Sequence, residues 1–330
     1  MTLVVERELR VGALADRIFV PAASTPKGAV LFLHGVCTSG AIWSNWATNF
    51  AQRGFEAHCV DLRGHGQSDG KDDVGRVRFD EHLSDLGALL EETGASAVVG
   101  HDLGGLLGQA LVTRHELRGL VLVNSMSPKG VGGPSSLSLL WRELRPRYVR
   151  AILRGRAWRP ADGDVAHLLC GKLPPEESDR LCASLEPESG VIARELVLSG
   201  VGVDENLVRC PVFVVASTFD RLTPPSRQRL LSARYRADYV EFAQHAHFPM
   251  LEPGWARPAA VIGRWLEEAA RIGDSMRGSA SRIRRRRPRV DPARGAAQTC
   301  RDALVGLSVS GVPLGHTTSG LVWRRGARAC

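Results

Sequence analysis

An α/β fold with a mostly parallel sheet is the architecture that this sequence predicts. Short apolar runs, such as Ala29–Leu33, alternate along the chain with longer segments whose apolar residues recur at helical spacing. This alternation is typical of strand–helix–strand units, in which apolar strands are covered by helices on both faces of the sheet. With 330 residues, 44% of them hydrophobic, the chain can build one large core.

The apolar runs and the helical periodicity place the individual elements. Strands are predicted at 3–11, 14–20, 29–33, 55–61, 97–100, 120–123, 211–216 and 239–243. Helices are predicted at 39–53, 80–93, 104–115, 225–237 and 255–271. The first of these helices places Trp43, Trp46 and Phe50 on one face, and the second does the same with Leu83 and Leu86.

The regular pattern is interrupted in the middle of the chain and ends before the C-terminus. Residues 127–206 begin with a glycine-rich turn and then show helical stretches near 135–155, 164–171, 175–185 and 190–199, without a clear strand. This region is predicted to be a helical cap inserted between two parts of the core, 1–126 and 207–273. Residues 274–330 are rich in Arg, Ser, Gly and Pro, and a disordered basic tail is predicted there.

The basic character of the chain belongs to that tail. Between Ser275 and Cys330 there are 12 Arg and 2 Asp, so the tail carries more positive charge than the net +8 of the whole chain. The rest of the protein is therefore close to neutral, which argues against nucleic acid as its partner. A small-molecule substrate is the expected partner.

The sequence gives no indication of a metal, a cofactor or a membrane segment. The seven cysteines are scattered and show no C-x-x-C spacing, and no dinucleotide or P-loop glycine motif follows the first strand. No apolar run approaches the ~20 residues of a spanning helix. Glu6 and Glu8 lie where a signal peptide would be apolar. A cytoplasmic protein is expected.

The motif that points to chemistry is Gly100-His101-Asp102-Leu103-Gly104-Gly105. It follows a short strand and opens a helix, which is the context of the sharp turn that presents a nucleophile above a sheet. In the usual pattern, G-x-S-x-G, a serine occupies the position that Asp102 holds here. Asp102 is therefore the candidate nucleophile. The amides of Val36, after His34-Gly35, and of Leu103 are candidates for an oxyanion hole.

Two later loops supply candidate partners for Asp102. Asp220 follows the strand after the cap, and an acid at a strand end can hold a catalytic histidine in the required tautomer. His247 follows the last strand and leads into the closing helix, so we prefer it to His245 as the base. The order nucleophile, acid, histidine is that of α/β-hydrolases.

Taken together, these motifs resemble the α/β-hydrolase superfamily. The matching segments span most of residues 25–270 in order: L-F-L-H-G at 31–35, D-L-R-G-H-G-Q-S-D at 61–69, G-H-D-L-G-G at 100–105, the Asp220 loop and H-F-P-M-L-E at 247–252. An aspartate at the elbow resembles the epoxide hydrolases and the haloalkane or haloacid dehalogenases. The resemblance implies that Asp102 forms an alkyl-enzyme ester, which a water activated by His247 then hydrolyses.

The two branches differ in how they assist the leaving group. Many dehalogenases have Trp or Arg directly after the nucleophile and Asn near the first loop, whereas this chain has Leu103 and Val36. Epoxide hydrolases generally use two cap tyrosines, and this cap contains Tyr148 alone. Epoxide hydrolysis is the preferred reaction, with Tyr148 and Trp141 as the expected substrate contacts. Dehalogenation, lyase or cyclase chemistry by Asp102 and His247, esterase-like activity and ligand binding without catalysis remain alternatives.

Overall fold

The structure, a computed structural model, describes residues 3–132 and 146–269. Its eight strands are β1 (Val4–Val11), β2 (Leu14–Pro21), β3 (Ala29–Leu33), β4 (Glu56–Asp61), β5 (Ala97–His101), β6 (Gly119–Val123), β7 (Val212–Ser217) and β8 (Asp238–Phe242). Its α-helices are α1 (Ser44–Gln52), α2 (Phe79–Thr93), α3 (Leu103–Leu111), α4 (Pro146–Leu153), α5 (Asp162–Leu169), α6 (Pro175–Ser184), α7 (Gly190–Leu198), α8 (Pro225–Tyr235) and α9 (256–269). Short 3₁₀ helices lie at Gly40–Trp43, Lys71–Arg76 and Glu205–Leu207.

All eight strands form one sheet in the order β1-β2-β4-β3-β5-β6-β7-β8. β1 pairs antiparallel with β2, and β2 pairs antiparallel with β4, whereas the remaining neighbours are parallel. The predicted mostly parallel sheet is therefore confirmed. The carboxyl ends of β3, β5, β7 and β8 lie along one edge of the sheet, so the loops that follow them can converge.

Helices cover both faces of the sheet, as the continuous apolar strands predict. In β3, Leu31 and Leu33 join the cluster formed with α2, α3 and α8, whereas Val30 and Phe32 join the cluster formed with α1 and α9. The two faces thus take alternate residues of the same strand, which is why the strand has no polar face.

Four of the described helices, α4–α7, lie between β6 and β7 and are called here the inserted helices. They occur where the sequence predicts a helical cap. The division into domains at 126, 206 and 273 stays a prediction, and the basic tail lies outside the described residues. None of the described helices is both long enough and apolar enough to span a bilayer.

The elbow between β5 and α3 depends on glycine for steric reasons. A Cβ at Gly100 would collide with the carbonyl oxygen of Gly104, and a Cβ at Gly104 would collide with the carbonyl oxygens of Leu33 and His34. These obstacles are backbone atoms, which cannot move aside as a side chain would. The close approach of α3 to β3 brings the Asp102 turn against the loop that follows β3.

Replacing Gly104 by Ala is expected to lower the free energy of unfolding by about 3 kcal/mol, because the added methyl group overpacks a backbone contact. Gly163, near the start of α5, is the control, since a Cβ there has no atom within 4 Å. Gly163→Ala should raise stability by about 0.5–1 kcal/mol through helix propensity. Urea denaturation measures both changes, and equal stabilities for the two variants would contradict the steric explanation.

Candidate active site

Asp102 sits on the strained turn between β5 and α3. Its backbone adopts φ +50° and ψ −115°, a conformation that is rare for a residue with a side chain. The side chain is nevertheless buried, with a relative exposure of 2%. The turn therefore directs a carboxylate inward, above the carboxyl end of the sheet. Strain of this kind at a buried polar residue is characteristic of functional positions.

The two oxygens of Asp102 have different surroundings. Oδ2 accepts a hydrogen bond from the Val36 amide at 3.1 Å. The Leu103 amide, at the start of α3, also stabilises the charged carboxylate. Oδ1 is buried and has no hydrogen-bond partner among the described residues. The structure thus places the Val36 amide on one oxygen and leaves the other available, and the Leu103 amide acts on the same carboxylate.

Burial has the largest effect on the pKa of Asp102. Desolvation raises its pKa above the ordinary value and outweighs the opposing effects of the His247 charge and of the two amides. A carboxylate that lacks water and one hydrogen-bond partner is a stronger nucleophile than a solvated one.

His247 and Asp220 form a buried pair at the same edge of the sheet. Asp220 follows β7, His247 follows β8, and His247 Nδ1 lies 2.9 Å from Asp220 Oδ2. Asp220 Oδ1 also accepts the amides of Leu222 and Thr223, at 2.8 and 2.9 Å. An acceptor at Nδ1 fixes the tautomer and leaves Nε2 as the nitrogen for proton transfer.

The pKa values of this pair shift in opposite directions. Burial alone would lower the pKa of His247, but the charge and hydrogen bond of Asp220, followed by the charge of Asp102, raise it. Burial alone would raise the pKa of Asp220, but the charge and hydrogen bond of His247 and the donors of Thr223 lower it. Opposed shifts of this kind are typical of acid–base machinery.

The competing histidine, His245, is engaged elsewhere. Its Nδ1 lies 3.2 Å from Glu252, a fully buried carboxylate that also accepts the amides of Ala246 at 2.8 Å and Phe248 at 3.2 Å. Glu252 therefore holds the backbone on both sides of His247. The preference for His247 over His245 agrees with this placement.

Two further side chains fix the His247 carbonyl. His101 Nε2 lies 2.9 Å from that oxygen, and Asn124 Nδ2 donates to it at 3.1 Å. Burial lowers the pKa of His101 to about 3, so its imidazole is neutral and donates through Nε2. The rings of His101 and His247 are in contact, with centroids 4.6 Å apart. The end of β5 and the loop that carries His247 are thus joined directly.

Asp102 and His247 share one largely apolar cavity. Its described lining residues are Val36, Cys37, His101, Asp102, Met126, Trp158, Pro160, Val165, Leu169, Leu185, Leu222, His247 and Phe248. The inserted helices and their loops provide five of these side chains, from Trp158 to Leu185. A buried carboxylate and an imidazole among apolar walls suit a small apolar substrate.

Tyr148, predicted to contact substrate, is placed differently by the structure. Its hydroxyl accepts the Ala161 amide at 2.6 Å and donates to Asp164 at 3.2 Å, and Tyr148 is not among the described residues that line the cavity. The phenol thus supports the start of α5. The structure therefore does not bring Tyr148 to the cavity, and its contact with substrate stays a prediction. Trp141, the other predicted contact, lies outside the described residues.

The remaining tyrosines are also engaged with the core. The Tyr235 hydroxyl donates to Gln109 at 2.9 Å, and the Tyr239 hydroxyl donates to Glu241 at 2.9 Å. No tyrosine is therefore found among the described cavity-lining residues. Proton delivery by a tyrosine, which favoured epoxide opening at the level of sequence, has no support in this geometry.

Trp158 is a cavity residue that sequence reasoning missed. Its indole Nε1 is buried and has no hydrogen-bond partner in the part of the chain that the structure describes. An indole N–H is a donor only, so it can bind an anion but cannot transfer a proton at neutral pH. The sequence offers no periodic or motif signal for this position, because it lies in an irregular segment between α4 and α5.

His34 has a structural role. Its Nε2 accepts the Leu62 amide at 2.9 Å, and its Nδ1 lies 2.9 Å from the Gly35 carbonyl oxygen. It thereby joins the loop after β3 to the loop after β4.

Among residues 3–132 and 146–269, no group of three or more His, Cys, Asp or Glu side chains could hold a metal ion.

The sequence also matches known proteins. The profile of the Alpha/beta hydrolase family matches residues 30–264. Monoacylglycerol lipase from Mycolicibacterium smegmatis is 28% identical over 243 residues, which are 65% of this chain and 78% of the lipase.

Two shorter matches come from other hydrolases. Haloalkane dehalogenase from Bradyrhizobium diazoefficiens is 38% identical over 105 residues, covering 30% of this chain and 32% of the dehalogenase. Bifunctional epoxide hydrolase 2 from Sus scrofa is 31% identical over 111 residues, covering 32% of this chain and 20% of that protein.

Proposed function

Because this chain belongs to the alpha/beta hydrolase family, we propose that it is a hydrolase that attacks an sp³ carbon of a small apolar substrate through Asp102. The product of that attack is an alkyl-enzyme ester, and His247 activates the water that hydrolyses it. Asp220 orients His247 and stabilises its charged form.

One observation carries the proposal: the two oxygens of Asp102 differ in their hydrogen bonding. Oδ2 is bound by the Val36 amide, while Oδ1 is buried, unpartnered among described residues and part of a carboxylate that lines the cavity with His247. A carboxylate with a purely structural role would be expected to satisfy both oxygens. A nucleophilic carboxylate needs one oxygen that is held by hydrogen bonds and one that is free to attack the substrate.

In the first step, Asp102 Oδ1 donates an electron pair to the substrate carbon. A C–O bond forms as the bond from that carbon to the leaving group breaks, and the leaving group departs with its electron pair. Oδ2 becomes the carbonyl oxygen of the ester and keeps its contact with the Val36 amide. Asp102 loses its negative charge in this step.

In the second step, water attacks the carbonyl carbon of the ester while His247 Nε2 takes a proton from it. Negative charge then develops on Oδ2, where the amides of Val36 and Leu103 can stabilise it, at about 3–4 kcal/mol per donor in related chemistry. Collapse of this intermediate expels the alcohol oxygen and regenerates the carboxylate. The proton on His247 passes to the product or to solvent.

The sequence favours epoxide opening as the reaction. The cavity favours a second candidate, dehalogenation. An opened epoxide needs a proton, and no described tyrosine reaches the cavity. A halide departs without a proton and needs only a donor, which the unpartnered Trp158 indole would provide. Trp158 is the specific observation that supports the dehalogenase-like reaction.

Incubation with 1,2-epoxybutane and with 1-bromobutane tests the proposal and separates the two reactions. Diol formation supports epoxide hydrolysis, and bromide release with butanol supports dehalogenation. In the second case Trp158→Phe should slow ester formation about tenfold or more, since one hydrogen bond to an anion is lost. Hydrolysis of p-nitrophenyl butyrate that survives in Asp102→Asn, with no reaction of either probe, would contradict the proposal.

The rate of ester hydrolysis should increase with pH. His247 acts as a base only when neutral; burial alone would lower its pKa, whereas the charge and hydrogen bond of Asp220 raise it. The charge of Asp102 also raises this pKa in the free protein but is absent from the ester. Asp220→Asn removes the largest of the raising effects, so the midpoint should move to lower pH. The maximal rate should fall about 10⁴-fold, because the tautomer is no longer fixed. A stopped-flow pH profile measures both quantities, and an unchanged midpoint would contradict this assignment of Asp220.

A further inference from the structure

The residue next to the oxyanion-hole amide has an unfavourable backbone conformation. Cys37 follows Val36 directly and has φ +60°, in the left-handed region that favours glycine. A non-glycine residue keeps such a conformation only where its surroundings hold it in place. This turn directly follows the residue whose amide contacts Asp102.

The contacts that hold Cys37 come from the segment between α6 and α7. The amide of Cys37 donates to Glu188 Oε2 at 3.3 Å, and the carbonyl oxygen of Cys37 accepts the Glu186 amide at 2.9 Å. Both polar groups of the Cys37 backbone are therefore bound by residues outside the core sheet. Nothing in the sequence motifs around Asp102 indicates this connection.

Glu188 is itself buried and held in place. Its exposure is 2%, its Oε1 accepts the Ser189 amide at 2.7 Å, and His65 Nε2 lies 3.5 Å from Oε2. Its backbone pairs with that of Trp158 in both directions, at 2.8 and 3.1 Å. Backbone hydrogen bonds thus join Glu188, whose carboxylate contacts Cys37, to Trp158, whose indole lines the cavity.

We propose that Glu188 is a positioning residue that holds the Cys37 turn and thereby directs the Val36 amide at Asp102. The segment between α6 and α7 then completes the oxyanion hole and also forms part of the cavity wall. Glu188 does not touch the reacting atoms and acts through Cys37. Its catalytic consequence rests on the proposed function, because the amide matters chiefly when charge develops on Asp102 Oδ2.

The first measurement is independent of the chemistry. Hydrogen exchange of the Val36 and Cys37 amides is followed by NMR in the full-length protein and in Glu188→Ala. Exchange of both amides is expected to be at least tenfold faster in the variant. Glu195 provides a matched control, since its carboxylate also joins the inserted helices to the core, at Arg78 and the Phe79 amide, well away from Cys37 in the chain. Glu195→Ala should leave both amides unchanged.

The second measurement is the rate of each half-reaction with whichever of 1,2-epoxybutane and 1-bromobutane turns over. Glu188→Ala should slow ester hydrolysis about 10- to 100-fold, less than complete loss of one oxyanion donor, with ester formation changed less than threefold. Glu188→Gln keeps the shape of the side chain and one acceptor oxygen, so its rate should lie between those of Glu188→Ala and the natural protein. It also serves as the test variant if Glu188→Ala fails to fold.

The outcomes separate this proposal from the proposed function. Unchanged amide exchange in both Glu188 variants overturns the positioning role, whatever the reaction is. Faster exchange with an unchanged rate of ester hydrolysis overturns its catalytic consequence. If the natural protein forms no ester with either probe, the proposed function fails, whereas faster exchange would still establish Glu188 as the support of the turn.

Discussion

Replacing Asp102 by Asn is expected to reduce turnover of the productive probe by about 10⁶-fold, the scale seen when a nucleophile is removed from a cooperative catalytic unit. The amide has nearly the shape of the carboxylate and keeps an oxygen for the Val36 amide. It lacks the negative charge needed to displace a leaving group. Product formation measured over days with the purified variant determines the remaining rate.

The stability of the same variant distinguishes a lost nucleophile from a lost fold. Burial raises the pKa of Asp102, so its ionised form disfavours folding once the pH exceeds the pKa of the unfolded chain. Asp102→Asn should therefore unfold at the same or a higher temperature at neutral pH. Asp204→Asn, at an exposed position that caps a 3₁₀ helix, is the control and should keep full activity. Near-normal turnover in Asp102→Asn would rule out Asp102 as the nucleophile.

Replacing His247 by Gln should stop the reaction after its first step. Ester formation needs only Asp102 and the substrate, whereas hydrolysis needs a base, so the alkyl ester should accumulate on nearly every molecule. Steady-state turnover should fall about 10⁶-fold. Intact-mass spectrometry after mixing with the productive probe should show one added alkyl group, and peptide mapping should place it on Asp102.

The neighbouring histidine provides the matched control for this result. His245 faces Glu252 in a buried pair and does not line the cavity among the described residues. Glutamine can also donate to Glu252, so His245→Gln should turn over the probe and carry no lasting adduct. An adduct in His245→Gln and none in His247→Gln would reverse the assignment of the two histidines.

The sequence predicts much of the architecture because the relevant signals are local. The apolar run Ala29–Leu33 became a strand buried on both faces, and the glycines at 100 and 104 became the sterically required positions of the elbow. Helix ends were less accurate: the helix predicted to reach residue 115 ends at Leu111. Periodicity indicates the apolar face of a helix but not the residue at which the helix ends.

The site was predictable only where residues follow strands of the core sheet. Asp102, Asp220 and His247 could be located because parallel strands bring their carboxyl ends to one edge. Trp158 and Glu188 could not, since they lie in irregular segments of the inserted region and contact the site through tertiary packing. The place of Tyr148 was not predictable for the same reason: its residue type suggests proton transfer, but Ala161 and Asp164 engage its hydroxyl.

Single-turnover reaction in heavy-oxygen water tests directly whether Asp102 forms a covalent ester. With enzyme in excess over the productive probe, water attacks the ester carbonyl, so the heavy oxygen should appear in the peptide that contains Asp102. The alcohol released in that turnover should contain an oxygen from the original carboxylate and remain unlabelled. Label in the product, with none in Asp102, would contradict the ester pathway and indicate direct attack of water on the substrate.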